Sequence, residues 1–162
     1  MGDVPDLDTP RLRLHALTLE EATALAAAGE RLDEWAFARD YPLPDTRDAI
    51  AFFLGHGDRD FGVHLIVRRE DGLVIGDGGF VGPPSKGTVA IGYEIVPSAR
   101  GQGYATEVIR ALGDWALRQP GVGEVRADTL PDNEPSIRAL LRAGFTESER
   151  GENVRRFVLT AG

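Results

Sequence analysis

The sequence predicts an α/β (α+β) domain built on a mixed central sheet of about seven strands with flanking helices, and three observations carry that expectation. Residues 61–96 read as three strands parted by turns, an antiparallel meander. After Gly103 the apolar spacing changes, and Ala105, Val108, Ile109, Leu112, Trp115 and Ala116 form one helical stripe. Another strand follows at 124–130, and a strand–helix–strand crossover makes it a parallel neighbour of the strand at 88–96. At 162 residues the chain is expected to form one domain, 1–162, large enough for its own core.

The elements follow in order. Residues 12–17 alternate apolar and polar, as a half-buried strand does. Thr18-Leu19-Glu20-Glu21 matches a capping box, and the alanine-rich run behind it to Ala28 reads as a helix. A second helix is expected after Asp45, with Ile50, Phe53 and Leu54 on one face. Between these helices, Trp35, Phe37 and Tyr41 either line a pocket or anchor a loop on the core. Strands are expected at 61–68, 73–81 and 88–96, with turns at Glu70-Asp71-Gly72 and at 82–87. Pro120-Gly121 ends the helix that follows Gly103. After the strand at 124–130 come a helix at 133–143, stopped by Gly144, and a last strand at 153–160.

Composition narrows the function. The absence of cysteine excludes disulfides, thiolate metal sites and a cysteine nucleophile. His15, His56 and His64 show no ligand spacing, so no metal is expected. A net charge of −8 argues against a nucleic-acid partner and accords with an amine. No apolar run reaches membrane-spanning length, and the start MGDVPDLDTP is not a signal peptide, so the expectation is a cytoplasmic protein without a membrane partner.

The most informative stretch is Ser98-Ala99-Arg100-Gly101-Gln102-Gly103-Tyr104-Ala105-Thr106, where a strand hands over to a helix. A helix start carries unpaired N–H groups and a partial positive charge, and glycines let ligand oxygens approach the backbone, so the stretch suits a phosphate. An ordinary strand-to-helix turn is the plainer alternative. Two familiar phosphate motifs fail. The dinucleotide pattern lacks its last glycine, with Thr106 or Val81 in that place. The P-loop-like Gly82–Gly87 run has Thr88 where the lysine belongs, and its prolines remove amides.

Arg100-Gly101-Gln102-Gly103-Tyr104-Ala105 resembles the [Q/R]-x-x-G-x-[G/A] signature of the GNAT acetyltransferase superfamily. Asn133, Ser136, Gly144 and Phe145 fall as in the N-x-x-S…G-F segment of its RimJ/RimL-like branch, which acetylates ribosomal-protein N-termini and related amines. The opening DTPRLRLHALTLEEA resembles that branch's first strand and helix, so the resemblance spans nearly the whole chain. It implies acetyl-coenzyme A as cosubstrate, a primary amine (peptide N-terminus or small molecule) as acceptor, and direct attack in a ternary complex. It also implies a parallel strand pair that splays apart, with the pantetheine chain in the gap. The diphosphate is expected on the amides of Arg100, Gly101, Gln102, Gly103, Tyr104, Ala105 and Thr106, with Ile95, Val96, Asn133, Ser136 and Arg142 as further cofactor contacts.

The chemistry needs three groups. An N–H near Ile95 or Val96 is expected to stabilise the oxyanion. Many relatives protonate the departing thiolate with a tyrosine in the last helix. Leu140 stands in that place here, and Ser136 is the expected substitute. Asn133 caps that helix, orients the pantetheine amide or a water, or does both. Asp128 and Glu94 compete as the base, with Asp128 slightly favoured, and either carboxylate is alternatively just salt-bridged or solvated. Strand alternation places Tyr93 and Ile95 on one face and Glu94 on the other. Glu30, Asp33, Glu34, Asp40 and Asp45 form an expected acidic mouth for the amine. A non-catalytic acyl-coenzyme A sensor is the rival class. The acceptor stays open among peptide N-termini, amino acids, polyamines and antibiotics, and a homodimer is compatible with the sequence.

Overall fold

The structure, a computed structural model, describes residues 6–29 and 35–161. Its strands are β1 (Leu7–Asp8), β2 (Leu12–Ala16), β3 (Val63–Arg68), β4 (Val74–Phe80), β5 (Thr88–Ile95), β6 (Glu124–Thr129), β7 (Thr146–Arg150) and β8 (Arg155–Thr160). The helices are α1 (Leu19–Ala27), α2 (Thr46–His56), α3 (Tyr104–Leu117) and α4 (Glu134–Arg142). All eight strands join one sheet in the order β1-β2-β3-β4-β5-β6-β8-β7. Only β5 and β6 run parallel; every other neighbouring pair is antiparallel.

The sheet thus has eight strands where about seven were expected from the pattern. The two strands that the sequence did not place are the two-residue β1 and the charged β7, whose sequence TESER leaves no apolar alternation to detect. The strand expected from 61 starts at Val63, because Asp58 caps a short 3₁₀ turn, Arg59–Phe61, before it. The strand expected from 153 starts at Arg155.

Local chemistry accounts for the helix ends. At α1 the capping box closes both ways: Thr18 Oγ1 accepts from Glu21 N–H at 3.0 Å, and Glu21 Oε1 accepts from Thr18 N–H at 2.9 Å. At α4, Pro135 occupies the first turn and Asn133 is the capping residue, its side chain accepting from Ser136 N–H at 3.3 Å. The two faces of the sheet are covered differently. Register puts Gly78 and Tyr93 on one face and Asp77 and Glu94 on the other. Tyr93 bonds Ser136 of α4, and Asp77 bonds Thr46 of α2. Helices α3 and α4 therefore pack on the first face, and α2, with α1 against it, on the second. The core is filled by fully buried side chains including Leu12, Leu14, Ile66, Ile109, Leu112, Val125 and Phe157.

Candidate active site

The parallel strands pair only from Thr88 to Ile91 on β5 and from Glu124 to Ala127 on β6. Beyond that point β5 stays with β4 as far as Ile95, while β6 stays with β8 as far as Thr129. The two strands have parted, and a cleft of about 630 Å³ opens between them. Its lining comes from both faces: Asp45, Asp77 and Glu94 from the α2 side, Tyr93, Ser136 and Leu140 from the α4 side.

The ladder also decides which backbone groups face the gap. Val96 N–H donates to Ile75 C=O at 2.8 Å, and Val81 N–H to Ala90 C=O at 2.9 Å, so even-numbered residues of this stretch pair with β4. Antiparallel alternation then turns Tyr93 and Ile95 towards β6, where the ladder has ended. Ile95 C=O is accordingly reached by Arg100 Nε at 2.8 Å. Of the two expected oxyanion donors, Val96 N–H is thus already committed inside the sheet, and Ile95 N–H faces the gap.

The strand-to-helix loop has the backbone its glycines foretold. Gly101 and Gly103 adopt φ of 78° and 83°, a region that L side chains rarely enter. Gly103 is the N-cap of α3 and offers no capping side chain, so the N–H groups of Tyr104, Ala105 and Thr106 have neither an intrahelical acceptor nor a cap. The side chains of Tyr104 and Thr106 are buried in the fold, which leaves their amides as the groups available to a ligand. Arg142 lies in the last turn of α4. Sequence reading missed Arg11. Its guanidinium packs over the Tyr104 ring at 4.4 Å, donates to Gln102 C=O at 2.7 Å and pairs with Glu107. No local motif marks it, because it reaches the loop from β2's flank, far away in sequence.

The two carboxylates expected to compete as base have different surroundings. Asp128 lines the cleft on the Glu94 face, but Arg156 holds it through Nε at 2.9 Å and a terminal nitrogen at 3.3 Å, with Arg126 at 3.9 Å. Glu94 has no such partner. Burial first, then the nearby Asp77 and Asp45 carboxylates, push its pKa up to about 7, and its Oε2 is buried with no hydrogen-bond partner among the described residues. Asp77 is raised by burial although Thr46 and Tyr41 hydroxyls donate to it at 2.6 and 3.2 Å. Backbone contact fixes Glu94 closely: a Cβ on Gly76 would lie 2.1 Å from Glu94 C=O, so only glycine lets β4 approach β5 there.

On the opposite face the hydroxyls of Tyr93 and Ser136 hydrogen-bond each other. Burial raises Tyr93, keeping its phenol neutral. Tyr93 entered the sequence argument only as a marker of strand face; its hydroxyl chemistry needs the α4 neighbour to become visible. Leu140 is buried and lines the cleft beside this pair.

The expected acidic mouth is only partly assembled. Asp45 lines the cleft. Asp40 instead accepts from Ser98 N–H and Oγ, both at 2.8 Å, fastening the 3₁₀ turn Pro97–Ala99. Glu30, Asp33 and Glu34 lie outside the described residues. Trp35, Phe37 and Tyr41 stack on one another, Phe37 bridges to Val74, and none of the three lines the cleft, which matches an anchored loop.

A sheet whose parallel pair parts beside an uncapped, glycine-lined helix start defines an acyl-coenzyme A-dependent transferase fold. The model of the acetyltransferase (GNAT) domain matches residues 11–146, and the chain belongs to that family. It is 27% identical to the uncharacterised N-acetyltransferase YjdG of Bacillus subtilis over 94% of this chain and 96% of that one. It is 31% identical to the uncharacterised N-acetyltransferase YoaA of the same organism, over 87% and 82% of the two chains. The fold matches RimL, a ribosomal L7/L12 α-N-protein acetyltransferase solved with coenzyme A, with a TM-score of 0.68 at 20% identity over 96% of this chain and 98% of that one. The chain is thus an acetyl-coenzyme A-dependent acyltransferase. Among the described residues no helix is long and apolar enough to cross a membrane.

Proposed function

We propose that this protein moves an acetyl group from acetyl-coenzyme A to a primary amine by direct attack inside the cleft, with Glu94 receiving the amine proton. The residues fit the cosubstrate. The diphosphate is taken by the bare amides of Gly101 to Thr106 at an uncapped helix start, where a side chain on Gly103 would meet Arg11 at 3.2 Å. The extended pantetheine lies along the free edge of β5 beyond Ile91. Bound there, acetyl-coenzyme A supplies an activated thioester carbonyl.

The observation that carries the reading is the disposition of groups across the gap. Glu94 stands on the α2 face with a pKa of about 7, so it is largely ionised just above neutrality yet basic enough to accept a proton. Ile95 N–H faces the gap between, placed for the oxyanion. The hydroxyls of Ser136 and Tyr93 stand on the α4 face, placed to protonate the leaving thiolate. Amine enters from one face and thiolate leaves toward the other. Asp128 is the weaker base because Arg156 occupies its oxygens. Asn133 serves as the cap that aims Ser136.

The test is the pH profile of kcat/KM for an amine. A base with a pKa near 7 must be deprotonated to work, so activity should fall as pH drops below about 7. Glu94→Gln should erase that limb and cost about 10²–10⁴ in rate. Asp128→Asn should keep the limb. If Asp128→Asn loses it and Glu94→Gln does not, the assignment is reversed.

A further inference from the structure

The α2 side of the cleft sets exposed apolar side chains beside carboxylates. Among the described residues, four large apolar side chains are exposed: Phe52, Val81, Leu130 and Leu141. Phe52 belongs to α2, Val81 follows β4, Leu130 follows β6, and all three line this cleft. Single exposed apolar residues are ordinary, but three from separate elements meeting at one opening mark a surface that a ligand covers. The Phe52 ring lies near Gly82, where an added Cβ would be 3.6 Å from its Cε1, and edge-on to the His56 ring at 5.3 Å.

The same lining carries the exposed Asp45, Asp48 and Asp128, the buried Asp77 and the half-buried Glu94, and no described lysine, arginine or histidine lines the cleft. An ammonium group is the complement of those carboxylates. Phe52, Val81 and Leu130 offer a second charge no partner, whereas an apolar group gains by covering them. An acidic acceptor would meet these carboxylates with no cation in the lining. We infer that the acceptor is a primary amine carried on an aromatic or branched aliphatic group, with the ammonium among the carboxylates and the apolar group against Phe52, Val81 and Leu130. The inference rests on the cleft being the acceptor site, as proposed above. The chemistry is shared by small aralkylamines and by polypeptides that begin with an apolar residue.

The experiment is steady-state thiol release from acetyl-coenzyme A with phenethylamine, ethylamine, spermidine and phenylalanylglycinamide, together with calorimetric binding of each amine. Phenethylamine or phenylalanylglycinamide should exceed both ethylamine and spermidine in kcat/KM by at least about tenfold, the equivalent of 1.4 kcal/mol. Which of the two apolar amines leads identifies the source. Phe52→Ala should narrow the ratio of phenethylamine to ethylamine by about tenfold. Leu130→Ser, in a different exposed element, should narrow it in the same direction. Release that is equal for ethylamine, or best for spermidine, overturns this inference and leaves acetyl transfer to amines standing. A preference for apolar amines that neither variant narrows overturns the assignment to this mouth. No release and no binding with any of the four overturns the acceptor site itself.

Discussion

The Tyr93 hydroxyl hydrogen-bonds Ser136 Oγ, tying β5 to the first turn of α4 across the cleft that separates the parallel strands. Each residue is held from a second side: Asn133 accepts from Ser136 N–H, and Tyr93, partly buried, packs against the core. On the reading proposed above, this pair would do the work of the tyrosine whose expected place Leu140 takes.

The pair should act as a unit. Ser136→Ala and Tyr93→Phe should each lower kcat by about 10–100-fold, at the modest end of what general acid catalysis supplies, with a smaller rise in the KM for acetyl-coenzyme A. The double variant should lose little more than the worse single one, because residues sharing one hydrogen bond are not additive. Two variants at full rate would leave the thiolate to depart unaided and return both residues to structural roles. A loss confined to the KM for the cosubstrate would make them binding contacts.

The 101–106 loop gives a cleaner test of cosubstrate binding. Gly103 sits at φ 83° with Arg11 3.2 Å from where a Cβ would lie. Gly103→Ala adds backbone strain and the close approach to Arg11, while Gly103→Glu adds both and a negative charge facing the diphosphate. Calorimetry on the folded variants should show Gly103→Glu binding coenzyme A at least tenfold more weakly than Gly103→Ala, a difference of about 1.4 kcal/mol. Equal affinities would move the diphosphate elsewhere.

Much of this was legible in one dimension. The capping box at Thr18, the period change at Gly103 and the parallel pair at 88–96 and 124–130 rest on local spacing, and the structure has them at α1, α3 and β5–β6. Strand β7 was not legible, since an exposed charged strand has no apolar period. The site divided in the same way. The glycine loop is contiguous and could be read directly. Glu94, Asp77 and Asp45 are brought together only by strand register and the docking of α2, so sequence named Glu94 but slightly favoured Asp128. Arg156, which holds Asp128, reaches it through the β6–β8 pairing and has no nearby signal.

Two histidines make stability depend on pH in opposite directions. His64 is buried between β2 and β4, neither ring nitrogen has a hydrogen-bond partner among the described residues, and burial lowers its pKa to about 4. Its unfolded value is near 6.5, so between those values the unfolded chain binds the extra proton. The stability it contributes is complete above about pH 6.5 and is lost as pH falls towards 4, on the order of 2 kcal/mol by pH 5. His15 behaves the other way. Burial opposes its charge, but Asp6 at 3.1 Å and Glu21 at 3.0 Å outweigh burial and raise its pKa. Its contribution is complete below about pH 6.5 and disappears as pH rises through the raised value. Urea midpoints measured from pH 4.5 to 9 should therefore fall on both sides of a maximum. His64→Leu should flatten the acidic side only, because an apolar side chain takes up no proton in either state. His15→Gln should flatten the alkaline side only, since the amide carries no titrating charge and can still donate to one of the two carboxylates. Should His64→Leu leave the acidic slope intact, carboxylate protonation governs that side. A His15→Gln profile that still declines above pH 6.5 would show that another group, and not His15, governs the alkaline side.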